Sequence, residues 1–218
     1  TREEKHSTRG RAHLLHEMMR GEIIREGWKS EHVKEALDLC LSCKACKSEC
    51  PVNVDMAVYK AEFLSHYYEG RLRPLEAYFF GYLDIWMKLA SIFPPAANFL
   101  VRAPVISAAV NKILGIAPAR EIPAISNQSF RQWFRAREIK NTGKPQILLW
   151  PDTFNNYFYP DVLRSAVQVL ESMDFQVLIP ETSLCCGRPL YDYGMLDRAE
   201  NLLRETMAGL KPHLEKGV

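Results

Sequence analysis

The sequence predicts an α+β multidomain chain: an all-helical part through residue 118, a connecting stretch over 119–144, and a partial α/β part over 145–218. Three observations carry this. Apolar residues recur at helical spacing through the first part. At Gln146 the pattern changes to two short continuous apolar runs, "QILLW" at 146–150 and "FQVLI" at 175–179, with an amphipathic stretch Asp161–Met173 between them. That is the signature of a βαβ unit with parallel strands. The six cysteines fall in two tight groups, Cys40, Cys43, Cys46 and Cys50, then Cys185 and Cys186, and the first group is expected to lie between helices.

Each element has its own local reason. From Arg11 to Arg20, Leu14, Leu15, Met18 and Met19 mark a helix that Gly21 stops. Ser30 can cap a second helix through Leu39, with Val33, Ala36 and Leu37 on one face, which delivers Cys40 at its end. After Pro51, Asp55 can cap a third helix running to about Glu69. The most apolar part is 75–118, where a single helix Leu75–Phe93 is expected. Asp84, Lys88, Arg102 and the Pro94-Pro95 pair interrupt it, so no uncharged run reaches the roughly 18 residues of a membrane span. Its wide apolar face is expected to be buried in an ordinary core; the alternatives are lying on a membrane surface, or docking on a domain outside this chain, in which case the chain alone should self-associate through Phe79, Tyr82, Trp86 or their neighbours. Residues 119–144 read as a linker with one short helix, and Arg131, Arg135, Arg137 and Lys140 there as a solvated face. A last helix is expected over Met195–Leu210. Two strands make an incomplete sheet, and the first residues have no apolar leader, so the chain reads as a piece of a longer protein.

Composition excludes more than it assigns. Lys and Arg number 28 against 26 Asp and Glu, a formal net charge of +2, which gives no strong electrostatic case for nucleic acid or an acidic membrane surface. The apolar fraction of 47% with 25% charged residues is that of a folded globular protein. Clustered cysteines speak for a reducing compartment and metal chemistry rather than disulfides, hence a cytoplasmic setting, at the inner face of a membrane if 75–118 lies on one.

The run "CLSCKACKSECP" fits C-x2-C-x2-C-x3-C-P, the spacing that binds a 4Fe–4S cluster. Thiolates at three-residue steps in a tight loop converge on one side, and Pro51 redirects the chain. Zinc is the competitor, but its structural sites pair two hooks across a longer gap. In two-cluster ferredoxins the fourth cysteine of this run serves the other cluster. Cys40, Cys43 and Cys46 are therefore expected to share a centre, with Cys50 turned away toward cysteines outside this chain. Lys44 and Lys47 flank the ligands and would favour the reduced cluster. His6, His13, His16, His32, His66 and His213 are scattered and read as surface or packing residues, and no catalytic constellation appears.

"STRGRAHLLHEMMRG", "CLSCKACKSECPVNVDMAVYKAEFLSHYYEGRLRP" and "LCCGRPLYDYGMLDRA" together resemble the iron–sulfur region of FAD-linked 2-hydroxyacid dehydrogenases of the D-lactate and glycolate oxidase type. They are also similar to the iron–sulfur subunit of anaerobic glycerol-3-phosphate dehydrogenase. The resemblance implies a helical ferredoxin-like domain followed by a truncated CCG cysteine-rich α/β domain, with a first cysteine run upstream of Thr1 and up to two 4Fe–4S clusters in the intact protein. It also implies FAD on an absent partner domain or subunit, and an acceptor such as a quinone or a redox protein. Cys185, Cys186 and Gly187 match the CCG, while Thr153 stands where the resemblance places a leading cysteine. The pair is thus a partial ligand set or two buried thiols. On this reading the region transfers electrons and is not catalytic by itself; the rivals are a structural zinc module that binds partners and a CCG redox site like that of heterodisulfide reductases.

Overall fold

A computed structural model of the chain describes residues 2–217 and has the expected class, mostly helical with one two-stranded parallel sheet. It divides into two compact units, Thr1–Ala77 with Arg188–Ala199, and Tyr78–Gly187 with Glu200–Val218.

The first unit is built on α1 (Thr8–Arg20), α2 (Glu31–Asp38), α3 (Ala45–Glu49) and α4 (Met56–Tyr67). Ser7 begins α1 by accepting the Gly10 amide on its hydroxyl, three residues earlier than the apolar pattern showed. Leu15 and Met18 of α1, Val33 and Leu37 of α2, and Met56, Phe63 and Leu64 of α4 close one core. Phe63 and Leu37 are wholly buried, worth about 1.5–3 kcal/mol each relative to exposure.

Distant chain completes this unit. The short helix α12 (Arg188–Asp192) leads to Gly194, whose φ is +66°. A Cβ there would lie 2.6 Å from the Ser65 nitrogen and 2.7 Å from the Leu64 carbonyl carbon, so only glycine allows this approach to α4. Arg73 fastens the same turn, donating to the carbonyls of Tyr193 (3.1 Å) and Gly194 (2.8 Å).

The second unit begins with the apolar stretch, and here two expectations are corrected. The single helix over Leu75–Phe93 is two, α5 (Leu75–Gly81) and α6 (Leu83–Ala90), because the chain leaves helical geometry at Tyr82 after Gly81. Pro94 and Pro104 then each start a new helix, α7 (Pro94–Arg102) and α8 (Pro104–Ile113), in the position where a missing N–H costs nothing. Burial is also only partial. Met87 and Leu114 are buried, but Trp86, Leu89, Ile92, Phe93, Phe99, Leu100, Val105 and Ile113 are exposed. Helices of seven to ten residues, restarted at each proline, cannot turn every apolar face onto one core.

The α/β part follows as expected. Helix α9 (Phe130–Ala136) starts at a capping box made by Ser129 and Gln132. Strand β1 (Gln146–Leu148), α10 (Thr153–Tyr157), α11 (Pro160–Ser172) and β2 (Gln176–Leu178) come next, and α13 (Leu196–Leu214) ends the chain. The strands pair in parallel with Ile147 opposite Val177. Phe130 and Phe134 of α9 pack with Leu163 and Val167 of α11 and Val177 of β2. The solvated basic face expected here is corrected at Arg131. That residue is buried and donates to the carbonyls of Pro180 (2.7 Å) and Glu181 (2.6 Å), and Arg137 pairs with Glu171. The reason is that the loop after β2 presents carbonyls with no strand partner, and a guanidinium satisfies several at once.

Candidate metal centre

The loop that carries Cys40 to Cys50 is wound tightly between helices. Ser42 and Lys44 hold left-handed backbone, with φ +51° and +63°, and Asn53 just beyond has +53°. Such strain in residues with side chains persists only where the surroundings fix it. They do so here: Ser42 is buried, and its carbonyl accepts from Arg188, which also pairs with both oxygens of Asp192 at 3.0 and 2.9 Å. The expectation that these cysteines lie between helices is corrected at Cys46, which falls inside α3, a single turn closed by the Cys50 amide on the Cys46 carbonyl at 2.9 Å.

The four thiols have distinct surroundings. Cys40 and Cys46 pack against the core of the first unit, whereas Cys43 is exposed. The Cys46 sulfur accepts the Met56 amide at 3.4 Å. Cys50 is half-buried, and the amides of Val54 and Val52, joined by Asn53, hold its thiol below the ordinary value. Sulfurs that already accept backbone N–H groups are prepared to carry negative charge.

Cations ring the loop. Side chains collect the carbonyls at the end of α2 and just beyond it: Arg11 donates to Ala36 at 2.8 Å, and Lys60 to Asp38 at 3.5 Å and to Cys40, past the helix end, at 2.8 Å. Burial lowers the Lys60 pKa, while the nearby Cys40, Asp38 and Asp192 oppose that shift. Lys44 lies 3.2 Å and Lys47 3.7 Å from the Asp55 carboxylate. Asp55 caps α4 as expected through the Val58 amide at 3.2 Å. Burial pushes its pKa up, yet that amide and the two lysines outweigh it and hold the carboxyl below its ordinary 3.8. Thiols this closely spaced, backbone amides on two of their sulfurs and cations nearby are the donor chemistry that thiolate-bound iron, whose net charge is negative, takes.

The second cysteine group is held in the other unit. Trp150 donates its ring N–H to the Leu184 carbonyl at 3.2 Å, and Thr206 its hydroxyl to the Cys185 carbonyl at 3.0 Å. Gly187 takes φ +69°, a turn that a side chain would strain. Asp152 caps α10 through the amides of Phe154 and Asn155, and this sets Thr153 with its hydroxyl 3.7 Å from the Cys185 sulfur. The residue in the place of the leading cysteine does therefore meet the CCG. A hydrogen bond with Cys186, then burial, push the Cys185 thiol far up, so it stays protonated at neutral pH without a metal.

One grouping escaped the sequence reading. On α1 the ligand atoms of His13, His16 and Glu17 lie within 4.8 Å of one another, with both histidines exposed. Their i, i+3, i+4 spacing on a helix was the available signal.

The comparisons agree with the motifs. Residues 152–215 match the CCG cysteine-rich domain. The chain is 27% identical over 190 residues to D-2-hydroxyglutarate dehydrogenase of Escherichia coli K12, covering 81% of this chain and 18% of that protein. It is 27% identical over 133 residues to the C subunit of anaerobic glycerol-3-phosphate dehydrogenase from the same organism, covering 61% of this chain and 34% of that relative. Over 62 residues it is 34% identical to lactate utilization protein A of Geobacillus kaustophilus, covering 28% of this chain and 26% of that protein. The chain thus spans about a fifth to a third of these relatives. No solved structure matches it.

Proposed function

We propose that this chain, which carries the CCG cysteine-rich domain and is homologous to dehydrogenases of D-2-hydroxyglutarate and glycerol-3-phosphate, is the electron-transfer iron–sulfur region of a flavin-linked 2-hydroxyacid dehydrogenase. The observation that carries it is the loop of Cys40, Cys43, Cys46 and Cys50, with amide donors on its sulfurs, in one chain with Cys185-Cys186-Gly187. A 4Fe–4S cluster there would supply one-electron chemistry between a two-electron flavin donor and an acceptor.

The residues' own part is ligation and tuning. Cys40, Cys43 and Cys46 would hold the cluster in residues 1–118, Cys50 would serve a second one, and Cys185 with Cys186 would be a partial ligand set in residues 145–218. Lys60 beside Cys40 balances thiolate charge, and the Met56 amide steadies the Cys46 sulfur. The partners on this reading are an FAD-binding domain or subunit and an acceptor, either a quinone or a redox protein, in the cytoplasm or at the inner face of a membrane. No helix among the described residues is long and apolar enough to cross one.

The test is anaerobic reconstitution with iron and sulfide, followed by iron, sulfide and zinc counts and electron paramagnetic resonance of the reduced protein. At most one four-iron cluster is expected, labile, and surviving Cys50→Ser. Colourless protein with one zinc after reconstitution would instead mark a structural zinc module. A His13→Ala/His16→Ala variant serves as control, because that exposed trio can hold adventitious zinc and distort the count.

A further inference from the structure

In the second unit exposed large apolar side chains are densest over 86–113, with others such as Phe154, Val162 and Met207 elsewhere. From Ser91 to Arg120 the chain carries Arg102, Lys112 and Arg120 and no acidic residue, whereas Lys88 just before it is paired with Asp84 at 3.7 Å. On α8, Val105, Ile106, Ala109 and Ile113 fall within about 100° of the helix circumference, and all four are exposed, Val105 at 83%. On α7, Phe99 is 73% exposed and Leu100 is exposed beside it. Aromatic and branched apolar side chains standing in water beside Arg102 and Lys112 are the composition of an interfacial helix pair.

A cavity of about 990 Å³ opens between the same two helices, lined by Arg102, Ser107, Asn111 and Lys112 among apolar residues, with Glu121 on the loop that follows. Asn111 is 7% exposed, and while its amide nitrogen donates to the Arg120 carbonyl at 3.1 Å, its Oδ1 is buried with no partner. An orphaned acceptor costs about 1–3 kcal/mol unless a donor arrives. The cavity therefore asks for a ligand with an anionic group for Arg102 and Lys112 and a hydroxyl or N–H for Asn111.

We propose that α7 and α8 form a membrane-docking element whose cavity takes the headgroup of an anionic phospholipid carrying a hydrogen-bond donor, as in phosphatidylglycerol. The exposed apolar side chains enter the interface, the phosphate meets Arg102 and Lys112, and the glycerol hydroxyl donates to Asn111 Oδ1. This deepens the membrane placement in the reading above and needs no cluster.

The experiment is vesicle flotation with metal-free 218-residue protein, so that a failure here leaves the electron-transfer reading untouched and a failure of cluster assembly leaves this one untouched. Vesicles of phosphatidylcholine alone are compared with vesicles containing phosphatidylglycerol or phosphatidylmethanol, which has the same charge but no hydroxyl. Binding is expected to rank phosphatidylglycerol above phosphatidylmethanol above phosphatidylcholine. Arg102→Glu with Lys112→Glu should weaken binding to both anionic vesicles by about thirtyfold or more. Asn111→Leu should erase the roughly fivefold difference between the two anionic lipids; the charge variant, altering only exposed positions, keeps the test intact if that one folds poorly. Equal binding to all three vesicles, or unchanged binding by the charge variant, overturns the proposal. So does an absence of vesicle binding together with protection of Phe99 and Val105 by a flavin-bearing partner, which would give the face to that partner.

Discussion

The hydroxyl of Thr153 lies 3.7 Å from the sulfur of Cys185. The position that the resemblance reserves for a cysteine thus abuts the cysteine pair 32 residues later, with a threonine in it.

Thr153→Cys should therefore rebuild a three-thiol site. Because Asp152 caps α10 through backbone amides, the substitution leaves the local backbone in place. Affinity for zinc or cadmium at this group should rise at least about tenfold, read by competition with a chromophoric chelator in a background where Cys40, Cys43, Cys46 and Cys50 are serine. An unchanged affinity would mean that the hydroxyl contact does not report a ligand position.

The thiols should react in a defined order. In metal-free protein the lowered pKa of Cys50 makes it a thiolate at lower pH, whereas Cys185 is held protonated by Cys186 and burial. Iodoacetamide at pH 7 should label Cys50 at least about ten times faster than Cys185, as peptide mass spectrometry would show. The Cys50 rate should rise with pH before that of Cys185. Faster labelling at Cys185 would contradict this assignment.

Asp55→Ala should cost about 1 kcal/mol from the lost cap, and the cost should depend on pH. The folded carboxyl lies below its ordinary 3.8, so its contribution is complete above that value and fades as pH falls through the folded one. Urea unfolding should show a smaller difference between variant and parent at pH 3 than at pH 7.

Gly194→Ala should destabilise the first unit by about 2–4 kcal/mol, because the added carbon meets backbone of α4 that cannot step aside. Loss of Arg188 from the Ser42 carbonyl should accompany it, seen as faster amide exchange in residues 40–50. A stability equal to that of the parent would sink the close-approach argument.

In cluster-loaded protein Lys60→Met should lower the midpoint potential by some tens of millivolts, since a half-buried cation beside Cys40 favours the reduced state. Redox titration followed by paramagnetic resonance measures it. No shift would confine Lys60 to holding α2.

Local signals alone determined much of this protein. The stops and caps at Gly21 and Asp55, the two apolar runs that become β1 and β2 and the two cysteine groups were legible because each depends on residues within a few positions of one another, and the parallel pairing of the strands followed from the helix between them. The division of the apolar stretch into α5–α8 was half legible. Pro94 and Pro104 announce two breaks, but the break at Tyr82 and the exposure of Phe99 and Val105 follow from which faces find neighbours. Only the tertiary structure decided the rest. Arg188 reaches Ser42 across 146 residues, Arg131 reaches Pro180 across 49, and Gly194 lies against Leu64. Guanidinium groups and glycines look alike in any sequence, and what gives them a role is a distant carbonyl or backbone that only the completed fold brings near.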